Sequence, residues 1–290
     1  PEEYAEEFAP GVDSTEVCQN SKEYNSGARD IDDEEWEAIR GLYDAEIRHV
    51  DAELDRLFTW LRENGEWEDT LVVVCADHGE LHGEHGLYGH EFCLYEPLVN
   101  VPLLVKHTAL DEGAVNSDQV ELIDLYHTIL DHANVDATEA TVPFDRSRSL
   151  LSDTYRSFEE SEYAFVEYSR PIVELNQLET KARAAGIELD RESRFYSRMR
   201  AVRTPEAKYI RNERIPDEFY RLDDDPDERD DQQGSGRDEE AALREALLAF
   251  EARVGGEWDA TDVSTSDGEA VLDDMDDDAK GRLRDLGYLE

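Results

Sequence analysis

The sequence predicts an α/β fold with a mainly parallel central sheet, followed by a small α+β subdomain built on an antiparallel sheet. Three patterns carry that expectation. Trp36, Ile39, Tyr43, Ile47, Val50, Leu54, Leu57 and Leu61 recur at spacings of three and four, which marks a long amphipathic helix. Leu71 to Val74 is a short unbroken apolar run, the signature of a strand buried on both faces in a parallel sheet. Tyr163 to Tyr168, Met199 to Thr204 and Lys208 to Arg211 are β-prone runs separated by turns, as in a small antiparallel sheet.

In chain order, residues from Pro1 to Asp30 lack sustained periodicity and read as a loop. The helix follows over Asp32 to Leu61, with Asp32 or Asp33 as its N-cap and Asn64-Gly65 as its stop. After the strand at Leu71, a second strand is expected over Val101 to Val105 and a third over Val120 to Ile123. Asp124 then caps a helix carrying Leu125, Ile129 and Leu130, which ends at Ala133-Asn134 before a loop with Pro143. The change in pattern near residue 152 divides the chain into units 1–151 and 152–290. In the second unit, the acidic tract Asp223 to Glu240 reads as a loop, Ala241 to Val254 as a helix and Asp276 to Leu286 as a short terminal helix.

The chain carries 74 acidic against 29 basic residues, a net charge of -45, and the acids are spread along its whole length. Such a chain repels itself in dilute buffer, and concentrated salt relieves the repulsion by shortening the Debye length to about 3 Å at 1 M. Its only lysines are Lys22, Lys106, Lys181, Lys208 and Lys280. Dispersed acid with scarce lysine fits a salt-loaded cytoplasm of halophilic type. On charge grounds, nucleic acid is not expected as a partner. Cys18, Cys75 and Cys93 share no metal-knuckle or CxxC spacing, which fits a reducing compartment. No apolar run reaches transmembrane length, so no membrane association is expected. The first residue is Pro1 rather than Met, which leaves room for an export signal ahead of it.

Polar chemistry begins where the strand at Leu71 ends, at Asp77-His78-Gly79. Four of the eight histidines, His78, His82, His85 and His90, fall within this short stretch. In open α/β sheets, ligands sit beyond the carboxyl ends of the strands. Asp77 and His78 are adjacent, so only an irregular strand end lets both face one ion, and Gly79 supplies that freedom. The plainer alternative is an Asp that caps the turn beside an ordinary hydrogen-bonded histidine. An oxygen and nitrogen pair suits manganese or zinc better than calcium. His82, His85 and His90 extend the cluster or lie at the surface, and Glu80 and Glu84 read as solvated or as supports behind the ligands.

The segments DHGE, GEHGLYGH, LYE and VPLLV, in this order, resemble the downstream half of a sulfatase, in the alkaline phosphatase superfamily. WEDTLVVVCADHG, VELIDLYHTILDHANV, MRAVRTPEAKYIRNE, FYRLDDDPDERDD and LRDLGYLE extend the resemblance over nearly the whole chain. It implies an alkaline-phosphatase-like sandwich with a partial central sheet, in a C-terminal part inactive in isolation. It places Asp77 and His78 as metal ligands and His90 where relatives carry a Lys or His that contacts the sulfate or protonates the leaving oxygen. Calcium is the family's usual ion, with manganese or zinc open because of His78. The family nucleophile is a formylglycine made within Cys/Ser-x-Pro-x-Arg, and this sequence lacks that motif: Ser169-Arg170-Pro171-Ile172 ends in Val173. The implied substrate is a sulfated small molecule or glycan. The alternatives are a phosphodiesterase or phosphonate monoester hydrolase of the same superfamily, or a non-catalytic metal-binding remnant.

Overall fold

A computed structural model describes residues 2–135, 143–152 and 162–254, together with Lys280 and Arg282. The N-terminal stretch expected as loop carries two short helices, α1 (Glu2–Phe8) and α2 (Ser21–Asn25). Asn20 starts α2 by accepting the Lys22 backbone N–H on its side chain. The long helix α3 (Asp33–Glu63) follows, capped by Asp32, whose carboxylate accepts from Glu35 N, and ended by Asn64 and by Gly65 at φ +74°.

Only the first turns of its apolar stripe are covered. Trp36 and Ile39 are buried with Cys18 among Val17, Tyr24, Ile31 and Tyr88, whereas Ile47 and Val50 are more than half exposed. Strands β1 (Val72–Cys75) and β4 (Leu103–Lys106) form a two-stranded sheet. Its pairing is antiparallel, with Val73 opposite Val105, and every strand pairing among the described residues is antiparallel. The parallel pairing expected from the sequence is thus replaced here. Between these strands the chain turns back through a hairpin and the short helix α4 (Glu96–Val99), without the helical crossover a parallel neighbour requires. Nor is β1 buried on both faces: its valines are half-buried and Cys75 is exposed.

The hairpin consists of β2 (Leu81–His82) and β3 (Tyr88–Gly89). The strand expected over Val120 to Ile123 does not form. Ile123 instead opens helix α5 (Ile123–His132), because the buried Asp124 carboxylate accepts the Glu121 backbone N–H and pairs with Arg148 at 2.7 Å. Asp124 therefore sits inside the first turn rather than at the cap position.

The antiparallel sheet is present, in the order β5 (Ala164–Tyr168), β6 (Met199–Arg203), β7 (Ala207–Asn212) and β8 (Glu218–Arg221). Side chains alternate across its strands and build two cores. Val202, Tyr209 and Phe219 face helix α7 (Asp238–Val254) through Leu243 and Leu247. Met199, Ala201, Ile210 and Tyr220 face the other way and meet Leu81, Leu94, Tyr95 and Leu98. The sheet is thus the floor beneath the Asp77–Glu96 stretch. Helix α6 (Ile172–Ala184), which the sequence reading missed, packs Leu175 and Leu178 against Phe92 and Tyr196. The boundary expected near residue 152 borders residues outside those described, and the helix expected over Asp276 to Leu286 lies outside them except at Lys280 and Arg282.

Together these elements form a mixed α/β architecture with small antiparallel sheets.

Candidate functional site

Asp77, His78 and Gly79 leave the end of β1 in an extended loop that passes against α4. Gly79 is required by closeness rather than by an unusual backbone angle: a Cβ there would lie 1.9 Å from Pro97 O, and its N–H donates to Leu98 O at 2.9 Å. The loop is thereby clamped to α4. Asp77 points outward, its side chain 85% exposed, with Oδ1 accepting from His78 N at 3.0 Å and Oδ2 lying 3.8 Å from His78 Nε2. The Nδ1 of His78 lies 2.8 Å from Gly79 O. A carbonyl only accepts, so Nδ1 carries the hydrogen and Nε2 presents its lone pair.

The hairpin brings in the second half of the site. Leu81 pairs with Gly89, so the next residues outward, Glu80 and His90, stand opposite one another. His90 Nδ1 lies 2.9 Å from Glu80 Oε2, its ring stacks on that of His78 with centroids 4.4 Å apart, and its Nε2 lies 3.8 Å from Glu91 Oε1. The Glu80 hydrogen bond raises the His90 pKa above the ordinary histidine value; burial opposes the rise and the Glu91 charge adds to it. Glu91 is itself buried and paired with Lys22 of α2, while its Oε2 has no hydrogen-bond partner among the described residues. Asn25 fixes the hairpin from the same helix: its side chain donates to Tyr88 O at 2.8 Å and accepts from Tyr88 N at 2.9 Å, in the manner of a neighbouring strand.

The other loop histidines go elsewhere. His82 meets the edge of Tyr43, and His85, at φ +55°, stacks on Tyr95 with centroids 3.6 Å apart. Burial lowers the pKa of both.

Ligand atoms of His78, Glu80 and His90 all lie within 4.8 Å of one another. The sequence reading treated Glu80 as solvated or supporting and missed its contact with His90. The available signal was the hairpin register around the glycine-rich turn Gly83 to Gly86. A cavity of about 800 Å3 opens beside the group, with Asp77, His78 and His90 at one end and Leu98, Phe165 and Arg203 on its walls. The donors that converge are two imidazole nitrogens, of His78 and His90, and one Glu80 carboxylate oxygen, a set that fits a divalent ion, while Asp77 lies beside them with Oδ2 3.8 Å from His78 Nε2.

A stretch of 108 residues is 35% identical to the multifunctional alkaline phosphatase superfamily protein PehA of Trinickia caryophylli, covering 37% of this chain and 21% of that protein. A stretch of 103 residues is 34% identical to arylsulfatase K of Bos taurus, covering 36% of this chain and 19% of that protein. Among solved structures, the phosphonate monoester hydrolase of Agrobacterium radiobacter superposes with a TM-score of 0.58 at 23% identity, over 76% of this chain and 42% of that one. The protein BT4656, solved with its substrate D-glucosamine-2-N,6-O-disulfate, superposes with a TM-score of 0.60 at 20% identity, over 79% and 43%. The matched region therefore spans about a fifth of these two curated relatives and less than half of these two solved chains. Residues 1–135 match the sulfatase family model.

Proposed function

We propose that this chain supplies the metal-binding and proton-donating part of a sulfuric ester hydrolase, with Asp77 and His78 as metal ligands and His90 as the catalytic acid. The observation that carries the proposal is the placement of His90, hydrogen-bonded to Glu80 and stacked on His78 at the end of the cavity. A divalent ion bound there, calcium by family resemblance or manganese or zinc by its imidazole ligand, supplies Lewis-acid stabilisation of charge on the sulfuryl oxygens. His90, protonated under the influence of Glu80 and Glu91, gives its Nε2 proton to the departing alcohol oxygen and returns to neutral. The formylglycine nucleophile is furnished by a segment other than these 290 residues, which hold no Cys/Ser-x-Pro-x-Arg. The substrate is a sulfated small molecule or glycan. A phosphate diester or phosphonate monoester is the sister substrate, because the same oxyanion chemistry serves it. The charge of -45 supports a salt-rich setting, a salt-loaded cytoplasm being the proposed one beside export. Among the described residues no helix is long and apolar enough to cross a membrane.

The test is made in the complete enzyme, with aryl sulfate and aryl phosphonate esters as probes. His90→Ala is expected to lower turnover by about 10²-fold or more while metal affinity holds, as loss of a general acid does. Asp77→Ala is expected to abolish metal binding. Unchanged turnover removes His90 from catalysis, and a retained metal removes Asp77 from the ligand set. A second reading, metal binding without turnover, is favoured by the convergence of His78, Glu80 and His90. It predicts instead that His90→Ala loses the metal.

A further inference from the structure

The proposed chemistry uses the charge of Glu80 but not the direction of its contact with His90. Its carboxylate is less than a quarter exposed, it lies one residue beyond the β2–β3 pairing, and the hairpin register sets it opposite His90. The contact is short, 2.9 Å between Oε2 and Nδ1. An ionised carboxylate only accepts, so the ring hydrogen belongs on Nδ1. The opposite nitrogen, Nε2, lies on the Glu91 side. Four further contacts hold the pair in place. Asn25 bonds both backbone groups of Tyr88 in β3, and Lys22 pairs with Glu91. Phe92, fully buried at φ +71°, is held in that left-handed conformation with its N–H donating to Tyr168 OH at 2.8 Å. Residues on both sides of His90 are thus fixed, the His78 ring stacks on its face, and Glu80 holds its Nδ1 edge.

We infer that Glu80 is a positioning residue for His90, which fixes the imidazole as the Nδ1–H tautomer and turns Nε2 toward the reacting ester. The inference rests on His90 being the proton donor. In the step it supports, the Nε2–H bond of the imidazolium breaks and an O–H bond forms on the departing alcohol. The electron pair stays on Nε2, and the other ring hydrogen stays on Nδ1, donated to Glu80 Oε2 throughout. Without Glu80, a neutral imidazole reverts to the Nε2–H form that water favours, and the ring is free to turn over.

The experiment uses the 290-residue chain, without metal, at about pH 9, where histidine is mostly neutral. Long-range proton–nitrogen NMR then reads the tautomer of each ring. His90 is expected as Nδ1–H in the native chain and as Nε2–H in Glu80→Ala, with Glu80→Gln keeping part of the native population through its amide oxygen. His127 serves as the folding control. Its Nδ1 accepts the Asp145 N–H at 3.3 Å, so it stays Nε2–H in every variant that folds. A zinc titration of the same samples separates the competing role, with affinity in Glu80→Ala and Glu80→Gln expected within about threefold of native. A loss of about 10-fold or more, the scale of a ligand or its direct support, would make Glu80 part of the metal site and overturn the inference. So would a native His90 tautomer that persists in Glu80→Ala. Should the tautomer flip as expected while His90→Ala leaves the complete enzyme's turnover unchanged, the catalytic reading fails and the inference falls with it. The Glu80–His90 hydrogen bond would then be structural alone.

Discussion

The most constrained residue of the site is Gly79. Adding a single methyl group there meets Pro97 O at 1.9 Å, and both partners are backbone, so neither yields cheaply. Gly79→Ala is expected to destabilise the fold by about 3 kcal/mol or more, read from the urea midpoint. Glu96, at the start of α4, is constrained by charge. It pairs with Arg203 through two contacts of 3.0 Å and with the fully buried Lys208 at 2.9 Å, while Lys208 also lies 2.7 Å from Glu228. Burial pushes the Glu96 pKa up, but Arg203 and Lys208 together outweigh it and hold the carboxyl below its usual 4.5. A depressed folded-state pKa stabilises the protein above the unfolded value, and that stability is lost as pH falls through the folded value. Glu96→Gln is therefore expected to cost about 3–5 kcal/mol at neutral pH, as breaking a buried pair does. In urea unfolding, the gap between native and variant should narrow as pH falls below 4.5.

Helix α3 divides into a seated half and a bare half. Trp36 meets the rings of Tyr24 and Tyr88 edge-on at 5.1 and 5.2 Å, and it lies against Gly83, where a Cβ would approach its ring to 3.1 Å. One side chain thus ties α2, α3 and the site hairpin together. Further along, Tyr43, Ile47, Val50 and Leu57 continue the same stripe but are 42–56% exposed. Replacing Ile39 by Ala is expected to cost about 2–5 kcal/mol, whereas Ile47→Gln or Val50→Gln should change stability by less than about 0.5 kcal/mol. Equal costs at both ends, measured by chemical unfolding, would show that the stripe is covered along its length in solution.

Across the whole molecule, charge sets the response to solvent. A net charge of -45 spread over helices and loops is self-repulsive, and although salt bridges such as Lys181 to Glu23 form, 29 basic residues offset fewer than half of the 74 acids. Thermal unfolding is expected to shift upward by several degrees between about 0.1 M and about 1 M potassium chloride, as the Debye length falls from about 10 to about 3 Å. A melting temperature that does not change with salt would remove the basis for a salt-rich setting.

Much of this architecture was legible in local pattern. The helix from Asp32, the strands near Leu71 and Val101 and the three β-prone runs were visible because spacing, capping and apolar runs are properties of neighbouring residues. Asp77 to His90 also stood out, since histidines beside glycines at a strand end are conspicuous in any register. Strand direction was not legible. A run of valines shows burial but not which way its partner points, and the chain between β1 and β4 turns through a hairpin rather than a crossover helix. The Val120 to Ile123 run was likewise apolar enough for a strand, until a buried Asp124 and Arg148, 24 residues apart, fixed it as a helix start. The sequence by itself determined which groups are candidates for the chemistry, because Asp77, His78 and His90 stand beside glycines at a strand end. Only the tertiary structure decided how they are arranged. Glu80 meets His90 because one hairpin register sets them opposite each other, and Glu91 is buried because a lysine 69 positions earlier folds back to pair with it.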